Sequence, residues 1–105
     1  MQQRTWTVTS FPDAWTGIAQ GPSVVNGVIM ANTSDSPLTV SIRLSNGFDE
    51  PRAVIVPALT LEVGESRVLD VSYLAVGVLD WLQASVTGPG LHMIMNGVVP
   101  VVDQP

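Results

Sequence analysis

The chain has 105 residues, of which 46 % are hydrophobic and only 12 % are charged, and it contains no cysteine and no lysine. This length fits one domain, and the absence of cysteine excludes disulfides, thiolate catalysis and cysteine-bound metals. With a net charge of −5, the chain also lacks the positive surface that binds nucleic acids or anionic membranes.

The N-terminal segment, residues 1–12, is largely polar and ends in Phe11-Pro12, and the alternation over residues 5–9 favours an extended strand. We expect this segment to be either an arm that pairs with the sheet edge of another subunit or an edge strand of its own domain. No charged and then apolar leader opens the chain, and no apolar run approaches the length of a bilayer span. Neither a secretory signal peptide nor a membrane anchor is therefore expected.

The middle of the chain has the period-two hydrophobic pattern of β-strands. Residues 38–44 place four aliphatic side chains on one face and Thr, Ser and Arg on the other, which predicts a half-buried strand. Residues 24–31 are nearly all apolar, which predicts a central strand covered on both faces. Further strands are predicted at residues 53–56, 59–63, 67–71, 82–86, 91–95 and, weakened by Pro100, 98–102.

Turn-forming residues separate these strands, and the turns are predicted at residues 34–37, 46–47, 57, 64, 77, 88–90 and 96–97. A short helical turn is the expectation for residues 73–78. Short strands about 8–12 residues apart predict an all-β fold. We expect a single antiparallel β-sandwich of about 7–8 short strands, jelly-roll or Ig-like, over residues 13–99, followed by a tail at 100–105.

The sequence contains no convincing catalytic, cofactor-binding or metal-binding set. His92 is the only histidine, and a lone histidine without cysteine makes neither a catalytic triad nor a zinc site. The close carboxylates, Asp49 with Glu50 and Glu62 with Glu65, are interpreted as solvated loop charges, because calcium needs more oxygen ligands than they supply. We therefore expect that the protein is not an enzyme and has no cofactor.

The aromatic residues are the best candidates for contact with other molecules. Trp81 has the opposite parity to its apolar strand neighbours, and Trp6 lies among threonines, so each is either a core residue or an interface residue. Trp15 is predicted to lie in the core. The predicted interface set is Arg4, Trp6, Phe11 and Trp81. A low charged fraction fits a surface covered by a neighbour, or else one kept soluble by uncharged polar residues.

Three stretches, residues 27–42, 59–70 and 79–98, resemble a pattern in small virion proteins of tailed bacteriophages: an Asn-Thr turn between hydrophobic strands, a Leu-x-Gly-Glu-like turn, and a Leu-x-Ala-Ser strand. The resemblance covers residues 22–99, and it departs from the pattern at residues 77–80, where two residues separate the expected Gly-Asp pair.

The resemblance implies a capsid decoration (cement) protein that binds the outer capsid surface as a homo-oligomer, with a trimer favoured. Its partners would be the major capsid protein or other virion subunits, and it would reside in a particle assembled in the host cytoplasm. The alternatives are a neck, tail or baseplate accessory protein, or a carbohydrate- or receptor-binding β-sandwich module. The last would need two or three Trp or Tyr rings on one exposed face and would make a glycan the partner.

Overall fold

The computed structural model describes residues 1–47 and 50–100, apart from the side chain of residue 72. Within these residues the chain forms eight β-strands and no helix, as an all-β prediction requires. The strands are β1 (Gln2–Val8), β2 (Thr16–Gln20), β3 (Ser23–Asn32), β4 (Leu38–Asn46), β5 (Pro51–Leu61), β6 (Ser66–Val76), β7 (Asp80–Val86) and β8 (Leu91–Val99).

The strands form two antiparallel four-stranded sheets. Sheet A has the order β1-β8-β3-β6, and sheet B has the order β2-β7-β4-β5. Only β4 and β5 are consecutive strands within one sheet; every other connection in the described chain crosses between the sheets. Ig-like sandwiches keep several consecutive strands together, whereas an eight-stranded double sheet with this crossing pattern is a jelly roll. The predicted sandwich is confirmed, and its topology is the jelly roll.

The core lies between the sheets and is aliphatic and methionine-rich. In β8, Leu91, Met93 and Met95 are fully buried, while the alternating His92 and Ile94 point outward. In β4, Leu38, Val40 and Ile42 are buried, and Leu44 packs against the core, as the alternation predicted. Period two therefore identifies the inward residues of these strands correctly.

Several predicted turns lie inside strands. Strand β5 joins two predicted strands through Pro57, which is tolerated because β5 is an edge strand of sheet B and its register is irregular. Strand β8 continues through Asn96 and Gly97, where a turn was predicted. A Cβ on Gly97 would lie 2.0 Å from the Val24 carbonyl oxygen, so this glycine allows close strand approach rather than a turn.

The predicted helical turn at residues 73–78 is also wrong, because β6 continues to Val76. Strand β6 has more residues than β3 between the pairs Gly27–Asp70 and Val25–Leu74, so it bulges there. Tyr73 lies in this bulge, has a φ of 63° and is 80 % exposed. A bulge breaks the alternation and thereby hides the strand from a periodicity argument. Strand β2 was not predicted at all, because five residues beginning Thr-Gly carry little pattern.

The N-terminal segment is the edge strand β1 in this structure, paired with β8 over Gln2–Val8. The predicted tail 100–105, together with Val101 and Val102 of the last predicted strand, lies outside the described residues except for Pro100. So do Phe48 and Asp49.

The prediction that both faces of β3 are covered is wrong for the single chain. Val25, Val28 and Met30 are buried, but Ile29 is 47 % exposed on the outer face of sheet A. Sandwich strands bury one face only, and the second sheet covers just the inner one. An outer face that remains apolar is therefore a feature of this chain that its own fold does not use.

Candidate contact surfaces

A row of exposed aliphatic residues crosses the outer face of sheet A. Ile29 is paired with Ile94 on β8 and with Val68 on β6, so the three side chains are lateral neighbours on adjacent strands. They are 47 %, 43 % and 70 % exposed, respectively. We call these three residues the apolar row. Isolated surface aliphatics are common, but a contiguous set on a flat sheet is typical of an interaction surface.

The rest of this face is nearly uncharged. The pairing registers place Thr5, Asn96 and Asp70 across one side of the apolar row, and His92, Ala31 and Ser66 across the other. Among the outward positions that the structure describes on sheet A, Asp70 carries the only formal charge. Desolvating this face on binding therefore costs little compared with a typical charged protein surface.

A second surface contains all three tryptophans of the chain. Trp81 points outward from β7, and its ring lies over β2: a Cβ on Gly17 would be only 2.7 Å from Trp81 Cε3. Gly17 is therefore required for this close approach, since any larger residue would displace the indole. The ring lines a groove on each side of it, one containing Trp15 and the other Trp6.

The first groove, which we call the loop groove, has a volume of about 430 Å³. The Arg43 guanidinium lies 4.1 Å from the centroid of the Trp15 ring, and Arg43 Nε donates a 2.8 Å hydrogen bond to Gln83 Oε1 on the neighbouring strand. These contacts fix the position of Trp15 against sheet B. The groove is lined by Asp13, Trp15, Thr16, Gly17, Asn46, Gly47, Trp81 and Gln83.

The second groove, the seam cleft, also measures about 430 Å³ and lies where the β1 edge of sheet A meets the β2 edge of sheet B. Arg4 lies 5.6 Å from the centroid of the Trp6 ring, and both residues line the cleft together with Trp81. The remaining lining residues are Gly17, Ile18, Ala19, Gln20, Gly21, Pro22, Val99 and Pro100.

The structure thus brings three of the four predicted interface residues, Arg4, Trp6 and Trp81, into one cleft. Phe11 is elsewhere: it packs against the core and lines a separate groove with Pro12, Val86 and the 88–90 turn. Trp6 also packs partly against the core. The prediction that Trp15 is a core residue is wrong, because it lies half-buried in the loop groove, outside the core cluster. Strand β2 was not predicted, so no alternation was available to show on which face of a sheet Trp15 lies.

Ion pairs join charged side chains: Glu65 with Arg67, and Arg52 with Asp80. Glu65 accepts a hydrogen bond from the Glu62 backbone N–H at 2.9 Å and a further one from the Arg67 guanidinium, and these contacts lower the pKa of the Glu65 carboxyl below its ordinary value. The Arg52 Nε lies 3.1 Å from Asp80 Oδ1. No cluster of three or more histidine or acidic residues that could hold a metal ion occurs among residues 1–47 and 50–100.

No helix in the described part of the chain could cross a membrane. The chain matches no protein-family model, and no similar curated protein or solved structure was found.

Proposed function

We propose that this chain is a structural protein of a bacteriophage particle, a capsid decoration protein that binds neighbouring virion subunits through the outer face of sheet A. The observation that carries the proposal is the apolar row of Ile29, Val68 and Ile94 on an almost uncharged sheet face. A rigid double sheet with such a face is suited to contact with another protein, which excludes water from the aliphatic side chains.

The size of the face favours assembly on a lattice over a tight complex in solution. Strands about 4.8 Å apart and same-face residues about 6.7 Å apart give the four-stranded face an area on the order of 400 Å². Two such faces would bury about 800 Å² in total, less than the ~1,200 Å² of a small specific interface. One contact is therefore weak, but copies held side by side on a particle gain affinity by multivalency.

The fold and the sequence resemblance support the same assignment. Eight-stranded jelly rolls occur in viral capsid proteins and in lectins, although a fold alone does not determine function. The resemblance to small phage virion proteins over residues 22–99 favours a capsid-bound protein over a lectin. The proposal includes assembly into a homo-oligomer, with a trimer favoured. It also names the major capsid protein as the binding partner.

The proposal is tested on two kinds of purified phage particle. One is produced by the phage that encodes this chain, and the other by the same phage with this gene deleted. Quantitative mass spectrometry should find the chain in the first particles at a copy number comparable to that of the major capsid protein. Deletion particles should still assemble but release their DNA at a lower temperature. Absence of the chain from purified particles would refute the proposal. Electron microscopy could instead locate only a few copies per particle, at the neck or tail. That result would refute the decoration role and favour a neck or tail accessory protein.

A further inference from the structure

All three tryptophans are half-buried and line two adjoining grooves, although they are far apart in sequence. Trp15 lines the loop groove, Trp6 lines the seam cleft, and Trp81 with Gly17 lines both. We call Trp15, Trp81 and Trp6 the tryptophan strip. The strip crosses the β2–β7 side of sheet B and ends at β1, and it does not include the apolar row on sheet A.

We propose that the tryptophan strip binds an uncharged oligosaccharide. The C–H groups on one face of a pyranose ring are apolar and weakly positive, so they pack well against the electron-rich face of an indole. Successive sugar units along a glycan could then contact successive tryptophans. The two adjoining grooves, of about 430 Å³ each, are open to solvent rather than enclosed, so a chain of sugar units can enter them from the side.

The polar residues beside the rings can serve the hydroxyl groups of such a ligand. Asp13 and Thr16 line the loop groove, while Arg4 and Gln20 line the seam cleft. Carboxylate, hydroxyl, amide and guanidinium groups together supply both acceptors and donors. An acidic and a basic residue lie in different grooves, so no single sign of charge dominates the strip. An uncharged glycan fits this arrangement better than an acidic one.

The rings are held in place before any ligand binds. Trp81 rests over Gly17, and Trp15 is fixed by the Arg43 guanidinium, which is itself hydrogen-bonded to Gln83. Side chains that are already held in place do not have to be ordered on binding, which lowers the entropic cost of association. The inference does not rest on the proposed virion role, because it uses a different face of the molecule.

The experiment titrates the intact protein with four soluble tetrasaccharides: β-1,4-linked glucose, β-1,4-linked N-acetylglucosamine, α-1,4-linked glucose and, as the acidic probe, α-1,4-linked galacturonic acid. Calorimetry and tryptophan fluorescence report binding. At least one neutral probe should bind saturably. Trp15→Ala should weaken that binding about tenfold or more, and Trp15→Phe should restore part of it.

Two further variants separate a binding effect from a folding effect. Asp13→Ala removes an exposed carboxylate, while the hydrogen bonds between Asp13 and Thr16 use only the Asp13 backbone, so it should weaken binding without changing the unfolding midpoint. Tyr73→Ala is the matched control, since it removes an exposed aromatic ring outside the strip and should leave binding unchanged.

The proposal is overturned if none of the neutral probes binds, if only the acidic probe binds, or if Tyr73→Ala weakens binding as much as Trp15→Ala does. It is also overturned if Trp15→Ala leaves sugar binding intact. If the same variant attaches less well to phage particles, the strip is a protein contact instead. The particle test of the proposed function can fail while sugar binding succeeds, so the two failures are distinguishable.

Discussion

Replacing Asn32 by alanine should lower the free energy of unfolding by about 2.5–4.5 kcal/mol, a large effect for one uncharged side chain. Asn32 is 2 % exposed at the end of β3. Its Nδ2 donates to the carbonyl oxygens of Ser36 and Leu61 at 2.9 and 3.0 Å. Its Oδ1 accepts from the backbone N–H and the hydroxyl of Ser34 at 2.9 and 2.7 Å.

The magnitude follows from which partners can regain water. The Leu61 carbonyl is buried, so losing its donor costs about 1–3 kcal/mol. The Ser34 N–H, the Ser34 hydroxyl and the Ser36 carbonyl are only partly buried. Each can bind water in the variant, so each loss costs only about 0.5 kcal/mol. Asn32→Asp should destabilise at least as much near neutral pH, because a carboxylate would face two carbonyl oxygens and could donate to neither.

Urea unfolding followed by tryptophan fluorescence measures both variants. Asn46→Ala is the matched control, because Asn46 makes a similar pair of hydrogen bonds to Glu50 at an exposed loop and should cost about 1 kcal/mol or less. For Asn32→Ala, the thermal midpoint should fall by roughly 10–20 °C. The reasoning is refuted if Asn32→Ala costs no more than Asn46→Ala.

Three further predictions follow from packing and electrostatics. Met93→Ala, at a fully buried position, should cost about 2–5 kcal/mol, whereas Ile94→Ala, on the 43 % exposed outer face, should cost about 1 kcal/mol or less; equal costs would contradict the assigned faces of β8. Gly97→Ala should prevent cooperative folding, because its Cβ would lie 2.0 Å from the Val24 oxygen; a cooperative thermal transition within a few degrees of wild type would contradict this. Glu65 has a lowered pKa in the folded state, so its contribution to stability is present above the unfolded-state pKa and is lost as pH falls through the folded-state pKa. Glu65→Gln should therefore reduce the loss of stability on acidification, measured by urea unfolding between about pH 3 and 7, and an unchanged pH profile would count against the Glu62 and Arg67 contacts.

The fold class could be predicted from the sequence because alternation marks one buried face along each strand. The residues of β4 were assigned to the correct faces for this reason, and β8 shows the same alternation in the structure. Alternation carries no information on which strands are neighbours, so the jelly-roll order was left open. It also fails where the backbone is irregular: the bulge around Tyr73 was taken for a helical turn, and the close approach at Gly97 was taken for a turn.

The candidate contact surfaces were predictable only in part. The parity of Trp81 indicated an outward ring, and the structure brings it together with Arg4 and Trp6. Trp15 was misplaced because its neighbouring strand β2 is too short to show a pattern. Only Ile29 of the apolar row was indicated by the sequence, since residues 24–31 are nearly all apolar, and this signal was interpreted as coverage by the chain itself. A second covering layer within the chain would need elements that the described residues do not contain.

The central claim, that the outer face of sheet A is a contact with other virion subunits, is tested most directly by comparing Val68→Glu with Val54→Glu. Both valines are exposed on edge strands, at 70 % on β6 and 63 % on β5, so the two substitutions should affect folding similarly. Binding to particles that lack the protein is measured by co-sedimentation. We expect Val68→Glu to weaken binding about tenfold or more, because a carboxylate must be desolvated at the contact, while Val54→Glu stays within about twofold of wild type. Equal binding of the two variants, or a larger loss for Val54→Glu, would contradict the account.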